Sequence, residues 1–365
     1  MQGMNHKEEK NYEKVNMRLS LCLWTLLCGI CMSVMLWYAA NKTVVIAEVP
    51  QDSIGTPEGA IQTEPVEKGT SLPLRQTAAS RDSFCILLPE DIRPAGVVVE
   101  NRYTDRELLI HVESEQTDFF EQHEIYGDVS HILAGFGETL ETGFLLRLEM
   151  EDVMEYRSSL EGNMLTIVRC DPHEMCDFVV VLDPVGGGSD RGAAGDGIYE
   201  KDLALEVALQ VQRSFGMSNA RLYLTRTEDV EVRPEDRIGL AEAVGADLYI
   251  RIGAEADETD SGVYGILGRY NDEYFIPGFG SPEFSDIVTR EVTIAASNRA
   301  VGLMPVDEDS ILRRLGIPAM ELSIGYLTNP QEGLLLQQEF YQSTLASGIV
   351  NAIQEACGML EQPEE

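Results

Sequence analysis

Basic residues are in short supply. The 365-residue chain has 27 Lys and Arg against 62 Asp and Glu, a formal net charge of −35. Nucleic-acid binding needs a basic footprint to neutralise phosphates, so this balance argues against it. It argues equally against electrostatic adhesion to anionic lipid or an anionic wall. Histidine is rarer still, at five, and the last is His173, so nothing beyond it can supply an imidazole. The seven cysteines do not make a dense disulfide framework. Cys22, Cys28 and Cys31 fall within one apolar run, which leaves Cys85, Cys170, Cys176 and Cys357.

That apolar run, "LSLCLWTLLCGICMSVMLWYAA" at residues 19–40, is about one bilayer's worth of helix with no charge. Trp37 and Tyr38 flank one end. Lys7, Lys10, Lys14 and Arg18 precede it and Lys42 alone follows closely. The pattern predicts a single-pass transmembrane anchor in the cell membrane, with residues 1–18 as a cytoplasmic tail and the bulk of the chain extracytoplasmic. A signal peptide cleaved near Ala39 and Ala40 is the competing reading, although the run is long for one.

Residues 41–82 are rich in Thr, Gln, Pro and Gly without an apolar period, as expected of an extended linker. Short runs such as "GVVVENRY", "ELLIHVES" and "GFLLRLEM" then predict a small, mainly β domain over 83–176, with a hairpin turning at Gly162 and Asn163. His111 and His131 fall in or beside its strands and are not grouped with other ligands. At its end, "CDPHEMC" offers a Cys170–Cys176 disulfide, a metal site with His173, or a plain hairpin end. From 177 to 357 strand and helix patterns alternate, which predicts an α/β domain, a sheet flanked by helices. One helix begins at Glu200, one covers "PEDRIGLAEAVG", one covers 283–299, and a last amphipathic one closes the chain. Residues 358–365 read as an acidic tail.

The strand "FVVVLD" breaks into "PVGGGSDRGAAG". A dinucleotide fingerprint would need a third glycine where Arg191 stands and a helix directly after it, and no Walker lysine follows. The blocks "LDPVGGGSDRGAAG", "EKDLALEVA", "LTRTEDVEVRPEDR", "GADLYIRIGAE" and "IPAMELSIGYLTNPQE" occur in that order. This series resembles the zinc-dependent N-acetylmuramoyl-L-alanine amidases of bacterial cell walls, and the preceding β domain resembles the wall-binding or spacer modules that accompany them. The resemblance implies zinc held by two histidines and a glutamate, a second catalytic glutamate, and peptidoglycan as substrate.

Carried over residue by residue, the first histidine position is Gly186 and the second is Gly253. Glu200 matches the zinc-ligating carboxylate, and Ser323 stands where the catalytic glutamate belongs. Catalytic zinc normally rests on three protein ligands. A lone carboxylate falls far short of the roughly 10–16 kcal/mol of full structural zinc sites, so zinc is not expected here. The resemblance therefore implies an amidase scaffold with a degenerate site, acting in peptidoglycan binding or in regulating an envelope protein. An active amidase with unconventional ligands is the alternative, His173 being the one imidazole within reach of the domain.

Arg251 lies two residues before Gly253, and Glu321 two before Ser323. Strand side chains alternate, so each charge shares a face with the replaced group beside it. An ion pair between Arg251 and Glu321 beneath the vacated site is expected, against the alternative that they reach solvent at a sheet edge. Glu200 at a helix start is favoured by the dipole with or without a metal. Arg226, Asp229 and Arg237 match scaffold positions. The acidic loop "EADETDSG", 255–262, lacks the spacing of a calcium loop and reads as a solvated charge run.

Overall fold

A computed structural model of the chain describes residues 44–45, 69–77, 82–195 and 197–361. The expected anchor at 19–40 and tail at 1–18 lie outside them. Among the described residues no helix is long and apolar enough to cross a membrane.

The amino-terminal half is built from β1 (Val44–Val45), β2 (Thr70–Ser71), β3 (Leu74–Gln76), β4 (Ser83–Leu87), β5 (Val97–Arg102), β6 (Glu107–Val112), β7 (Ile125–Gly127), β8 (Ile132–Leu140), β9 (Gly143–Met150), β10 (Glu155–Glu161) and β11 (Met164–Cys170). They form two sheets, in the orders β1-β10-β11-β4-β7-β3 and β2-β8-β9-β6-β5. Period-two alternation points Phe84, Ile86, Leu165 and Ile167 from one sheet, and Val99, Leu108, Ile110 and Leu146 from the other, into one apolar core. The β10–β11 hairpin turns at Gly162, whose φ of 64° needs a glycine, and Asn163. The expected linker over 41–82 is corrected in part: β1, β2 and β3 fall inside it. Its composition disguises a strand pair that buries Leu72 against the core and pairs Ser71 with Phe136.

The "CDPHEMC" segment does not close a disulfide, because Cys176 is a free thiol donating to the Pro172 carbonyl (3.2 Å). Asp171 instead caps a single 3-10 turn over Pro172–Glu174. His173 points to Asp247, its Nε2 3.0 Å from Oδ2, so the segment ends the hairpin without gathering a metal set.

The carboxyl-terminal half consists of β12 (Phe178–Pro184), a small β13–β14 ribbon (Ala194–Gly195 and Ile198–Tyr199), α1 (Glu200–Ser214), β15 (Ala220–Leu224), α2 (Pro234–Ala243), β16 (Leu248–Glu255), β17 (Ile266–Tyr270), α3 (Ser281–Ala295), β18 (Ala300–Pro305), β19 (Ala319–Tyr326), α4 (Pro330–Leu336) and α5 (Glu339–Glu361). The main sheet runs β15-β12-β16-β19-β17-β18. β15, β12, β16 and β19 are parallel, and β17 pairs antiparallel with β19. The central strands β12, β16 and β19 are buried on both faces, so their sequences are nearly continuously apolar. On one face Val180, Leu182, Ile250 and Leu322 meet α1, α3 and α5 through Val207, Val288 and Ile349. On the other, Val179, Val181, Tyr223 and Tyr249 meet α2 through Ile238 and Ala241.

The single closing helix expected at the end is two, α4 and α5, with a break at Gln337 and Gln338. The last of them runs to Glu361, so the domain extends beyond 357 into the expected acidic tail. The edge strand β15 is covered by the β domain: Leu224 N donates to Tyr103 Oη (2.8 Å), and buried Glu155 accepts from Arg221 Nε (2.9 Å) and Tyr223 Oη (2.6 Å). That contact blunts an otherwise open edge and joins the two halves.

Candidate functional site

The parallel strands end together, and ligand sites in open α/β sheets form beyond such ends. At the end of β12 the chain enters the glycine turn. Gly186, Gly187 and Gly188 have φ of 66°, 126° and 56°. This left-handed stretch suits glycine alone. The turn binds the protein's own groups: Gly188 N donates to Asp229 Oδ1 (2.8 Å), and Lys201 Nζ to the Gly188 carbonyl (2.9 Å) and Asp229 Oδ2 (2.5 Å). Arg226 and Arg237 donate to the carbonyls of Pro184, Val185 and Gly186 and fix it from below.

Glu200 opens α1 beside the ends of the strands. Its Oε2 accepts from Ala193 N (2.7 Å) and its Oε1 from Ala254 N (2.8 Å), so both oxygens are engaged by backbone amides. Burial raises its pKa, against the pull of those two amides and with help from Glu321 and Glu255. A β-carbon at Gly253 would lie 2.4 Å from Glu200 Oε1. The carboxylate therefore occupies the space that a side chain at 253 would need. A β-carbon at Gly186 would lie 2.7 Å from the Asp190 carbonyl oxygen, on backbone of positive φ. The residues present do not fit a zinc ion at this place: Gly186 and Gly253 offer no ligand atom, and the carboxylate of Glu200 is tied to amides.

Four adjacent strands carry a row of alternating charge in register, with Asp183 opposite Arg251, Arg251 opposite Glu321, and Glu321 opposite Arg269. Arg251 Nε lies 3.4 Å from Glu321 Oε2 and 3.9 Å from Asp183 Oδ2, and Arg269 Nη1 lies 3.5 Å from Glu321 Oε1. Arg251 and Glu321 thus stand together, about one-quarter exposed each (22% and 25%), in the middle of the sheet rather than at its edge. Asp183 is fully buried and accepts from Thr225 Oγ1 (2.6 Å) and from Arg237. Burial pushes its pKa up, but Arg237, Arg251 and Thr225 outweigh that and hold it below the usual carboxylate range.

Ser323 is buried, and its hydroxyl donates to Glu255 Oε1 (2.5 Å) and accepts from Arg269 Nη1 (3.0 Å). Burial opposes ionisation of Glu255, yet Arg269 and Ser323 lower its pKa below the ordinary value. Glu255 therefore belongs to the site and not to the acidic loop. The loop's Asp257 and Asp260 accept from Thr259 and Gly262 amides in tight turns. Sequence reasoning missed Asp183 and Arg269 as members of the row; the signal was there in the alternation, but only the strand order brings them beside Arg251 and Glu321.

His173 sits at the other end of the sheet, against Asp247 just before β16, and does not reach Glu200. His131, expected to be ungrouped, stands with Glu151 and Asp152 in the β domain.

Residues 180–355 match the family described as N-acetylmuramoyl-L-alanine amidase. Among curated relatives, the chain is 28% identical over 181 residues to N-acetylmuramoyl-L-alanine amidase CwlM of Bacillus licheniformis, which covers 48% of this chain and 68% of that one. It is likewise 28% identical over 182 residues to the probable cell wall amidase LytH of Staphylococcus aureus, covering 48% of this chain and 56% of the relative. Among solved structures, an N-acetylmuramoyl-L-alanine amidase from Clostridium difficile 630 aligns at 28% identity with a TM-score of 0.47, over 50% of this chain and 97% of that one. Residues 180–355 are thus similar in sequence to the N-acetylmuramoyl-L-alanine amidase family.

Proposed function

We propose that this is a membrane-anchored, extracytoplasmic cell-wall protein whose amidase domain binds peptidoglycan, or regulates an enzyme or complex of the envelope, without hydrolysing the wall. The observation that carries the reading is Glu200: the sole remnant of the family's ligand set has both oxygens engaged by the amides of Ala193 and Ala254. Gly186, Gly253 and Ser323 supply neither imidazole nor a second carboxylate. Without a bound metal, nothing brings the pKa of water from about 15.7 towards 7, and amide hydrolysis lacks its nucleophile. Ser323 does not replace it. A serine nucleophile needs a base, and Glu255, its one carboxylate partner among the described residues, is held ionised by Arg269 and is a weak one.

A non-catalytic role is consistent with what the domain retains. The charged row and the glycine turn tie the ends of the strands together through ion pairs and hydrogen bonds. The second reading, hydrolysis of the bond between muramic acid and the stem peptide, draws on the names of the relatives, which are amidases. Co-sedimentation of the full-length protein with purified peptidoglycan sacculi separates the two non-catalytic roles. Retention in the pellet supports direct wall binding; a protein left in the supernatant points to an envelope protein as its partner.

A further inference from the structure

The strands β8 and β9 are paired from Leu140↔Gly143 to Ile132↔Met150, with an irregularity at the Ile132 end. There Glu151 N donates to the His131 carbonyl (2.9 Å) and Met150 N to that of Arg106 (2.7 Å), which fixes the backbone beneath three side chains. The ligand atoms of His131, Glu151 and Asp152 all lie within 4.8 Å of one another. His131 Nδ1 is 3.5 Å from Asp152 Oδ2 and 3.8 Å from Glu151 Oε2. That nitrogen is itself buried and makes no hydrogen bond.

Three lone-pair atoms facing one another repel unless a cation stands between them. A proton on Nδ1 would draw a carboxylate to about 2.7–2.9 Å, the length of a charge-assisted hydrogen bond. The observed spacing is longer. A tetrahedral ion with bonds of about 2.1 Å separates its ligand atoms by about 3.4 Å, which is close to the 3.5 and 3.8 Å from His131 Nδ1 to the two carboxylates. One imidazole with two carboxylates suits zinc and its neighbours, whereas magnesium prefers an octahedron of oxygens and keeps its waters.

We propose that His131, Glu151 and Asp152 form a binding site for a divalent transition cation, zinc foremost, with a fourth position open to solvent or ligand. Asp152 also lines a groove of about 690 Å³ between the two domains, so the ion sits at the groove's rim. The site is separate from the amidase family's own zinc position at Glu200, and it holds whether or not that domain hydrolyses the wall.

The test is isothermal titration of zinc chloride into metal-free, full-length protein, comparing the wild type with His131→Ala, Asp152→Asn and Glu200→Gln. One zinc per chain is expected in the wild type and in Glu200→Gln. Binding at least tenfold weaker is expected in His131→Ala and Asp152→Asn, and millimolar magnesium should not displace the ion. Asp152 is exposed, so the amide variant reads the site even where loss of His131 disturbs folding. A wild type without saturable zinc binding overturns the proposal. So does zinc lost with Glu200→Gln but kept in the other two variants, or zinc readily displaced by magnesium.

Discussion

Glu200 and the His131 group make an instructive pair. Both oxygens of Glu200 accept backbone amides, from Ala193 and Ala254. His131, Glu151 and Asp152 instead present three ligand atoms to one another, with His131 Nδ1 buried and without a hydrogen bond. The capacity to hold a cation depends on which donor atoms remain unengaged, and ancestry is a poor guide to that. At the sheet, opposite charges stand in register across four strands; in the sandwich, one imidazole faces two carboxylates at 3.5 and 3.8 Å.

The largest effect is expected at the base of the charged row. Replacing Asp183 by Asn leaves the buried guanidinium of Arg237 without its charged partner and should cost about 3–5 kcal/mol in denaturant unfolding. The folded pKa of Asp183 is lowered, so its contribution is complete above the unfolded value of about 3.9 and is lost as pH falls through the folded value. The stability gap between wild type and Asp183→Asn should therefore narrow below about pH 4; a gap that widens there contradicts the assignment.

Gly253→His sharpens the comparison directly. The new side chain must displace the Glu200 carboxylate, and loss of its amide bonds should cost about 1–3 kcal/mol. The variant should bind no more zinc than the wild type, as atomic absorption of the purified protein would show. A second equivalent of zinc would mean that Glu200 turns readily to a metal. The smallest effect belongs to Arg251 and Glu321. A double-mutant cycle through Arg251→Met and Glu321→Leu should give a coupling of about 1 kcal/mol, since the contact is 3.4 Å long and Glu321 keeps Arg269 as a second partner. Zero coupling would make the two charges independent surface groups.

Much of the carboxyl-terminal domain was legible because buried parallel strands leave plain apolar runs. "FVVVLD", "ARLYL" and "ADLYIRI" could not be mistaken, and the four-residue spacing of Leu203, Val207 and Val211 marked α1. β17 and β18 were missed because Gly265, Gly268 and Gly302 interrupt short, weakly patterned segments. β2 and β3 were hidden in a Pro- and Thr-rich stretch where two leucines carry the packing. Period-two alternation was enough to bring Arg251 towards Glu321. It could not bring in Arg269, whose strand runs antiparallel and sits beyond β19. The His131 group lay further out of reach, since 20 residues of hairpin separate its members and only the strand register closes that distance.

Whether the carboxyl-terminal domain cleaves the bond between muramic acid and the stem peptide decides between the two readings. The most direct measurement is digestion of purified peptidoglycan by the full-length protein, following release of stem peptides, with Glu200→Gln as the paired variant. The expected result is no release above background from either protein, with or without added zinc. Release by the wild type that a chelator and Glu200→Gln both abolish would contradict it.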